Sequence, residues 1–157
     1  MTIRLATRAD AVRLNAALRR LSDDLGDTHR ATDDMIARAG WGAHPSFRAL
    51  IAEEGEAVTA VALYSPCFST SRGGALAYIS DLWVAEMQRG TGMGRRLLAE
   101  VARDAAATWG ADRLKLVVYD DSPAARAFYD RLGFTPATGQ TELHLDAAQC
   151  EALKGAA

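Results

Sequence analysis

Three glycines at alternate positions, Gly90, Gly92 and Gly94, stand where one sequence pattern gives way to another. Before them runs the strand-like Asp81-Leu82-Trp83-Val84; after them Arg95-Arg96-Leu97-Leu98 opens a helical period. Glycine tolerates positive φ and close approach, so consecutive N–H groups in such a turn can converge on one anion. A helix starting there adds unpaired donors and the positive end of its dipole. The chemistry that suits is the holding of a phosphate or pyrophosphate, with Arg89 and Arg95 supplying charge. The spacing G-x-G-x-G differs from the dinucleotide fingerprint G-x-G-x-x-G, and the Lys-[Ser/Thr] pair of a P-loop is missing. From the glycines alone, an anion cradle and a plain strand-to-helix turn with exposed arginines are both open.

A second group lies nearer the N-terminus. Asp23, Asp24, Asp27, Asp33 and Asp34 fall close together, with His29 among them. Such a cluster can attract a cation; it is equally how a solvated helix end reads, and Asp33 and Asp34 suit a helix N-terminus. His29 is open as proton relay, substrate ligand or ordinary loop histidine, whereas His44 and His144 have no partner identifiable from the sequence. Trp41 and Phe47 are open as a border of an acceptor site or as edges of the core.

The elements that must position these groups follow from period and punctuation. Thr2–Ala6 reads as a strand, and Thr7-Arg8-Ala9-Asp10 has capping-box spacing before a helix carrying Leu14, Leu18, Leu21 and Leu25. Thr32 is placed to cap a second, short helix. Phe47–Glu53 and Ala57–Tyr64 flank Glu54-Gly55-Glu56 as a hairpin, and Ala75–Val84 is a further strand. A long helix from about Gly92 to Trp109, a strand Leu114–Tyr119, a helix Ala124–Leu132 and a last strand Thr141–Asp146 complete the order β-α-α-β-β-β-α-β-α-β. That order is a mixed α/β layer fold rather than a strict βαβ repeat.

Composition narrows the class. The chain has 157 residues, a formal charge of −2 and 49% hydrophobic residues, which fits one domain, 1–157, with a real core. Its near-zero charge argues against a nucleic-acid partner or a polybasic membrane anchor. No apolar run approaches the roughly 20 residues of a membrane span. The start Met1-Thr2-Ile3-Arg4-Leu5 lacks the apolar core of a secretory signal, so a cytoplasmic location is expected. Cys67 and Cys150 are too few for a disulfide scaffold or a zinc site and read as free thiols.

Downstream of the glycine turn lies Ser122-Pro123-Ala124-Ala125-Arg126-Ala127-Phe128-Tyr129-Asp130-Arg131-Leu132-Gly133-Phe134. Together the two segments resemble the GCN5-related N-acetyltransferase (GNAT) superfamily. Arg89 to Gly94 matches its R/Q-x-x-G-x-G/A acetyl-CoA loop, and the later segment its N-x-x-A-x-x-(F/Y)-Y-x-x-x-G-F element. The resemblance runs from Ile3 to the final strand and implies an α/β (α+β) GNAT fold. Its mixed, mostly antiparallel central sheet would be flanked by helices, with a splayed strand at the acetyl-CoA site.

The resemblance also implies chemistry. Acetyl transfer to an amine needs an unprotonated amine, a polarised carbonyl and a proton for the leaving thiolate. The pantetheine arm is expected along Leu82, Trp83 and Val84, where a free backbone N–H polarises the acetyl carbonyl as an oxyanion hole does. Gly90, Thr91, Gly92, Met93, Gly94 and Arg95 would hold the pyrophosphate, with Ser122 and Ala125 on the cofactor's far side. Tyr129 matches the family's general acid, and a phenol near pKa 10 suits proton return to a thiolate. Tyr129 is also readable as a core aromatic beside Phe128. Asp81 is the candidate base and, on an equal footing, a carboxylate buttressing the loop. Ser122 replaces the family's usual Asn; its hydroxyl is expected to cap the following helix.

A closer resemblance, to the spermidine/spermine (diamine) acetyltransferase branch that includes thialysine enzymes, is carried by two segments. These are Ala62–Gly74 leading into Tyr78–Leu82, and Leu21–Asp34. That branch has a Glu–Asp pair on the strand, and here the pair is Ser80-Asp81. The implied function is acetyl-CoA-dependent N-acetylation of a small primary amine in a ternary complex, without a metal, by a homodimer. Asp24, Asp27, His29 and Ser80 are the acceptor-side candidates. The replaced Glu and Asn keep open a catalytically weak acyl-CoA sensor, and a nucleotide-binding module is a third reading.

Overall fold

Thr7 and Asp10 start the first helical layer as their spacing predicts. The Thr7 N–H and hydroxyl both donate to Asp10 Oδ2, at 2.8 and 2.9 Å. A short 3-10 turn leads into α1 (Ala11–Leu25), which buries Ala11, Leu14, Ala17 and Leu18 and ends where Gly26 takes φ 73°. Thr32 then caps α2 (Asp33–Trp41), its hydroxyl oxygen accepting from the Met35 N–H at 3.2 Å. In the computed structural model, residues 1–156 are described, in two compact units that meet in sequence at Tyr119 and Asp120.

The first unit holds one five-stranded sheet in the order β1-β2-β3-β4-β5. Its strands are β1 (Thr2–Leu5), β2 (Arg48–Glu54), β3 (Ala57–Ser69), β4 (Gly74–Val84) and β5 (Leu114–Leu116). The first four run antiparallel and β5 is parallel to β4. Between β4 and β5 stands α3 (Met93–Trp109), which buries Leu97, Leu98, Val101 and Ala105 and stops at Gly110, φ 65°. The sheet is therefore mixed, mostly antiparallel and flanked by helices, as expected.

Alternation assigns its two faces. Ala49, Ile51, Val61, Leu63 and Trp83 join α1 and α2 in one buried cluster. On the other face Ala77 packs with Ala105 of α3, and Tyr64 meets Trp109 edge-on at 5.9 Å. Tyr64 also donates to Asp104 at 2.5 Å, while Arg48 binds both Asp104 oxygens at 2.7 Å. Burial would raise the Asp104 carboxyl, but Arg48 and Tyr64 outweigh it and hold it below its ordinary value. Trp41 and Phe47 pack edge-on at 6.0 Å against the α1–α2 cluster, so they are edges of the core.

The second unit, Asp120 onward, contains α4 (Pro123–Arg131) and α5 (Ala147–Lys154). Two expectations fail here. The predicted strand Thr141–Asp146 has no regular structure: its leucines Leu143 and Leu145 stay exposed, and Asp146 instead caps α5 by accepting from the Gln149 N–H at 2.8 Å. Ser122 occupies the N-cap position of α4 but makes no capping bond with its hydroxyl; Pro123, which has no N–H to satisfy, opens the helix. A third expectation, a strand over Leu114–Tyr119, shrinks to Leu114–Leu116, for a reason that lies in β4.

Candidate active site

β4 changes character at Ser80. Tyr64 pairs with Ile79 and Leu63 with Asp81, leaving Ser80 as an extra residue opposite the β3 backbone. Such a bulge inverts the alternation beyond it. Ala77 and Ile79 belong to the α3 face, whereas Asp81 and Trp83 are turned to the α1–α2 face, opposite Leu63 and Val61. The pairing of β4 with β5 ends at the same place, Ile79 with Leu116, so Ser80–Val84 has a strand partner on only one edge. The expected splay is thus an open outer edge.

Asp81 sits at the bend. Burial raises its carboxyl above the ordinary value, against the lowering effects of the Ser80 hydroxyl, which donates to Oδ2 at 2.7 Å, and of His29. A carboxyl raised in this way holds a proton more firmly than an exposed one.

The glycine turn follows directly. Gly90 and Gly92 have φ of 78° and 86°, in the left-handed region where a side chain is strained. No heavy atom lies within 4 Å of where a side chain would begin at either, so the space over the turn is open. Met93, Gly94 and Arg95 form the first turn of α3, whose N–H groups have no carbonyl partner within the helix. Arg95 and Arg96 are exposed. Left-handed glycines, unpaired donors and free cationic side chains fit the diphosphate end of acetyl-CoA.

The two charge clusters read from the sequence touch. Arg89 donates to Asp24 Oδ2 and, through Nε, to the Val84 carbonyl at 2.9 Å; the Trp83 indole N–H also donates to Asp24, at 3.2 Å. Arg20 lies over the Trp83 ring at 5.7 Å. An open concavity of about 220 Å³ is lined by Arg20, Asp23, Asp24, Trp83, Glu86 and Arg89. Elsewhere Asp27 accepts from the Tyr119 hydroxyl at 2.9 Å, Asp33 from Asn15 at 2.7 Å, and Asp34 pairs with Arg38. Four of the five clustered aspartates are therefore already engaged by side chains of the protein.

His29 sits between Asn15 and Ser22 of α1. Sequence reasoning missed Asn15, and also the bulge at Ser80. Asn15 was detectable as a lone amide beside Leu14 and Leu18 on the apolar face of α1; a one-residue bulge leaves no such mark. His44 is exposed and His144 pairs with Glu142 at 2.9 Å.

In the second unit, Tyr129 lies on α4 with ring centroids 5.1 Å from Phe128 and 5.5 Å from Phe134. Burial pushes its phenol above the ordinary value. Ala125 lies in the first turn of the same helix, next to the Ser122 position. Cys67 and Cys150 are both free. Among the described residues no group of three or more His, Cys, Asp or Glu is arranged to hold a metal ion. No helix there is long and apolar enough to cross a membrane.

Comparison with known proteins agrees with these features. The model of the acetyltransferase (GNAT) family matches residues 15–134, a stretch that includes the bulged strand, the glycine turn and α4. The thialysine N-epsilon-acetyltransferase of Bos taurus is 27% identical over 162 residues, covering 97% of this chain and 94% of its own length. An uncharacterized N-acetyltransferase of Bacillus subtilis (strain 168) is 31% identical, covering 88% of this chain and 93% of its own. Among solved structures, an integron cassette protein from the mobile metagenome of V. cholerae superimposes with TM-score 0.80 at 21% identity, covering 98% and 96% of the two chains.

Proposed function

Because this chain belongs to the acetyltransferase (GNAT) family, it is an N-acetyltransferase, and we propose that its acceptor is the primary amine of a small cationic molecule. A diamine, a polyamine or a lysine-like amine fits, attacking directly in a ternary complex. The observation that carries the proposal is the left-handed glycine turn at the start of α3, directly after the half of β4 whose edge is open. Acetyl-CoA, when bound, supplies an activated thioester. Gly90 to Arg95 hold its diphosphate through backbone N–H groups and guanidinium charge, with Ser122 and Ala125 on its far side. The open edge along Leu82, Trp83 and Val84 receives the pantetheine arm, and an unpaired N–H there polarises the acetyl carbonyl.

Asp81 takes the proton that the ammonium of the acceptor must lose, and Tyr129 returns one to the thiolate. Ser80 and Asp81 take the place of the diamine branch's Glu–Asp pair. One carboxylate fewer on the strand weakens the case for a polyamine relative to a diamine or a lysine-like amine. Asp24, Asp27 and His29 are the further acceptor-side groups. We read the chain as one cytoplasmic domain acting as a homodimer, which light scattering on the purified protein checks.

The deciding experiment is an acceptor screen with acetyl-CoA over polyamines, lysine analogues, amino acids, aminoglycosides and peptide N-termini, read by free thiol. Turnover concentrated on aliphatic amines is expected. Tight coenzyme A binding with no turnover across the panel would instead identify an acyl-CoA sensor. Tyr129→Phe should lower kcat by about 10²-fold or more without moving the unfolding midpoint. A fully active variant removes Tyr129 from the role of acid.

A further inference from the structure

The pairing of β4 with β5 stops at Ile79 and Leu116, and the chain beyond each is held differently. On the β4 side, pairing to β3 continues as far as Val84 opposite Ala60, and Trp83 is buried, so Ser80–Val84 stays fixed in the sheet. On the β5 side, Val117, Val118 and Tyr119 have no strand structure, and Val117 and Tyr119 are about half exposed. The sheet therefore fixes one side of the gap and leaves the other to the side chains that reach it.

The Tyr119 hydroxyl supplies a tie, donating to Asp27 Oδ2 at 2.9 Å. Asp27 is itself held by backbone. Gly26 takes φ 73° at the end of α1, its N–H donates to the Asp23 carbonyl at 3.2 Å, and the Asp27 N–H donates to the Ser22 carbonyl at 2.8 Å. These two bonds are the Schellman close of a helix, which fixes the residue after the glycine against the last turn. In that last turn Asp24 accepts from the Trp83 indole N–H at 3.2 Å. The end of α1 thus grips β4 through Asp24 and the chain after β5 through Asp27, so one closed helix end joins both sides of the gap.

We propose that Tyr119 is a positioning residue for acetyl-CoA: its bond to Asp27 ties the chain after β5 to the end of α1 and so sets the width of the gap beside Ser80–Val84. The proposal rests on the reading in which that open edge receives the pantetheine arm. A gap whose width is already fixed does not have to be ordered when the ligand arrives, and that saving appears as affinity. Tyr119 touches no reacting atom in this role; it acts through the backbone that leads up to it.

Tyr119→Phe tests it, because it removes only a hydroxyl from a half-exposed ring and should leave the thermal midpoint in place. Coenzyme A binding, followed by titration calorimetry, should weaken by about three- to tenfold in the variant. KM for acetyl-CoA should rise to match, with kcat kept within about twofold. The backbone order parameters of Val117, Val118 and Tyr119, from NMR relaxation, should fall from the rigid value of about 0.85 toward about 0.6. Weaker binding with unchanged order parameters would make Tyr119 a direct contact of the cofactor and would overturn it as a tie. Equal binding by both chains would overturn the proposal alone. A wild-type chain that binds no coenzyme A would overturn the acetyltransferase reading as well.

Discussion

The two halves of β4 share one strand and one neighbour, β3, yet do different work. Gly74–Ile79 is paired on both edges where β5 reaches it, and Ala77 and Ile79 disappear into the α3 side of the core. Ser80–Val84 has a partner on one edge only, carries a carboxylate at its bend and runs into the glycine turn. One additional residue separates them. The bulge reverses the side-chain alternation and coincides with the end of β5, so a strand paired on both edges becomes one with an open edge without a break in its pairing to β3. Beyond Ile79 the outer edge of β4 has no strand partner, because the neighbouring strand that would otherwise pair with it stops.

Deleting Ser80 is the most direct way to break this contrast. A continuous register would send Asp81 and Trp83 to the α3 face, pulling a large aromatic that is 4% exposed out of the α1–α2 cluster. Removing a buried Trp from a core costs about 3–5 kcal/mol, so chemical denaturation should show a loss of at least that size together with loss of activity. A stable, active deletion variant would mean that the bulge is incidental.

Point substitutions on either side should separate stability from turnover. Asp81→Asn should lower kcat/KM by about 10²- to 10⁴-fold with the fold intact. The sign for stability follows from the raised carboxyl. A folded pKa above the unfolded one means that the ionised form weakens the fold at neutral pH, and that this cost disappears as pH falls. The Asp81→Asn variant should therefore keep its thermal midpoint at pH 7 unchanged or higher, while wild-type activity falls with acid at a pH above the ordinary carboxylate range. Ile79→Ala, two residues earlier, should show the reverse: about 2–5 kcal/mol of lost stability, with kcat within a few-fold for the folded fraction. Thermal melts and initial rates on both variants make the comparison.

Much of this frame was legible in the sequence, and the failures share a cause. Capping residues, glycine stops and apolar periodicity located both ends of α1 and α3 and the start of α2 to within a residue or two, because these signals are local. The glycine turn was legible for the same reason: Gly90 and Gly92 take the positive φ for which glycine is suited. Thr141–Asp146 alternates like a strand, but a strand also needs a neighbour, and that cannot be read from six residues. Leu114–Tyr119 has the β-branched content of a strand, yet ends at Leu116 because its partner bulges opposite. The charge clusters misled in a related way. Asp24 and Arg89 are 65 positions apart in sequence and form an ion pair, so the division into a basic and an acidic site ignored a contact that only the fold creates.

That contact gives the smallest expected effect. Asp24 Oδ2 serves both Arg89 and the Trp83 indole, and it ties the loop after the open half of β4 to the end of α1. The side chains of Arg89 and Asp24 are 51% and 44% exposed, so water screens the pair and its worth to the fold is about 1 kcal/mol or less. Asp24→Asn keeps the acceptor for the indole and removes the charge that competes with a phosphate for Arg89. Stability should change by less than about 1 kcal/mol, and KM for acetyl-CoA should fall by about two- to threefold, an effect that shrinks as salt is raised. A rise of tenfold or more would show instead that Asp24 holds Arg89 in its binding pose. The open half of β4 would then depend on α1 for its cofactor contacts, which the paired half does not.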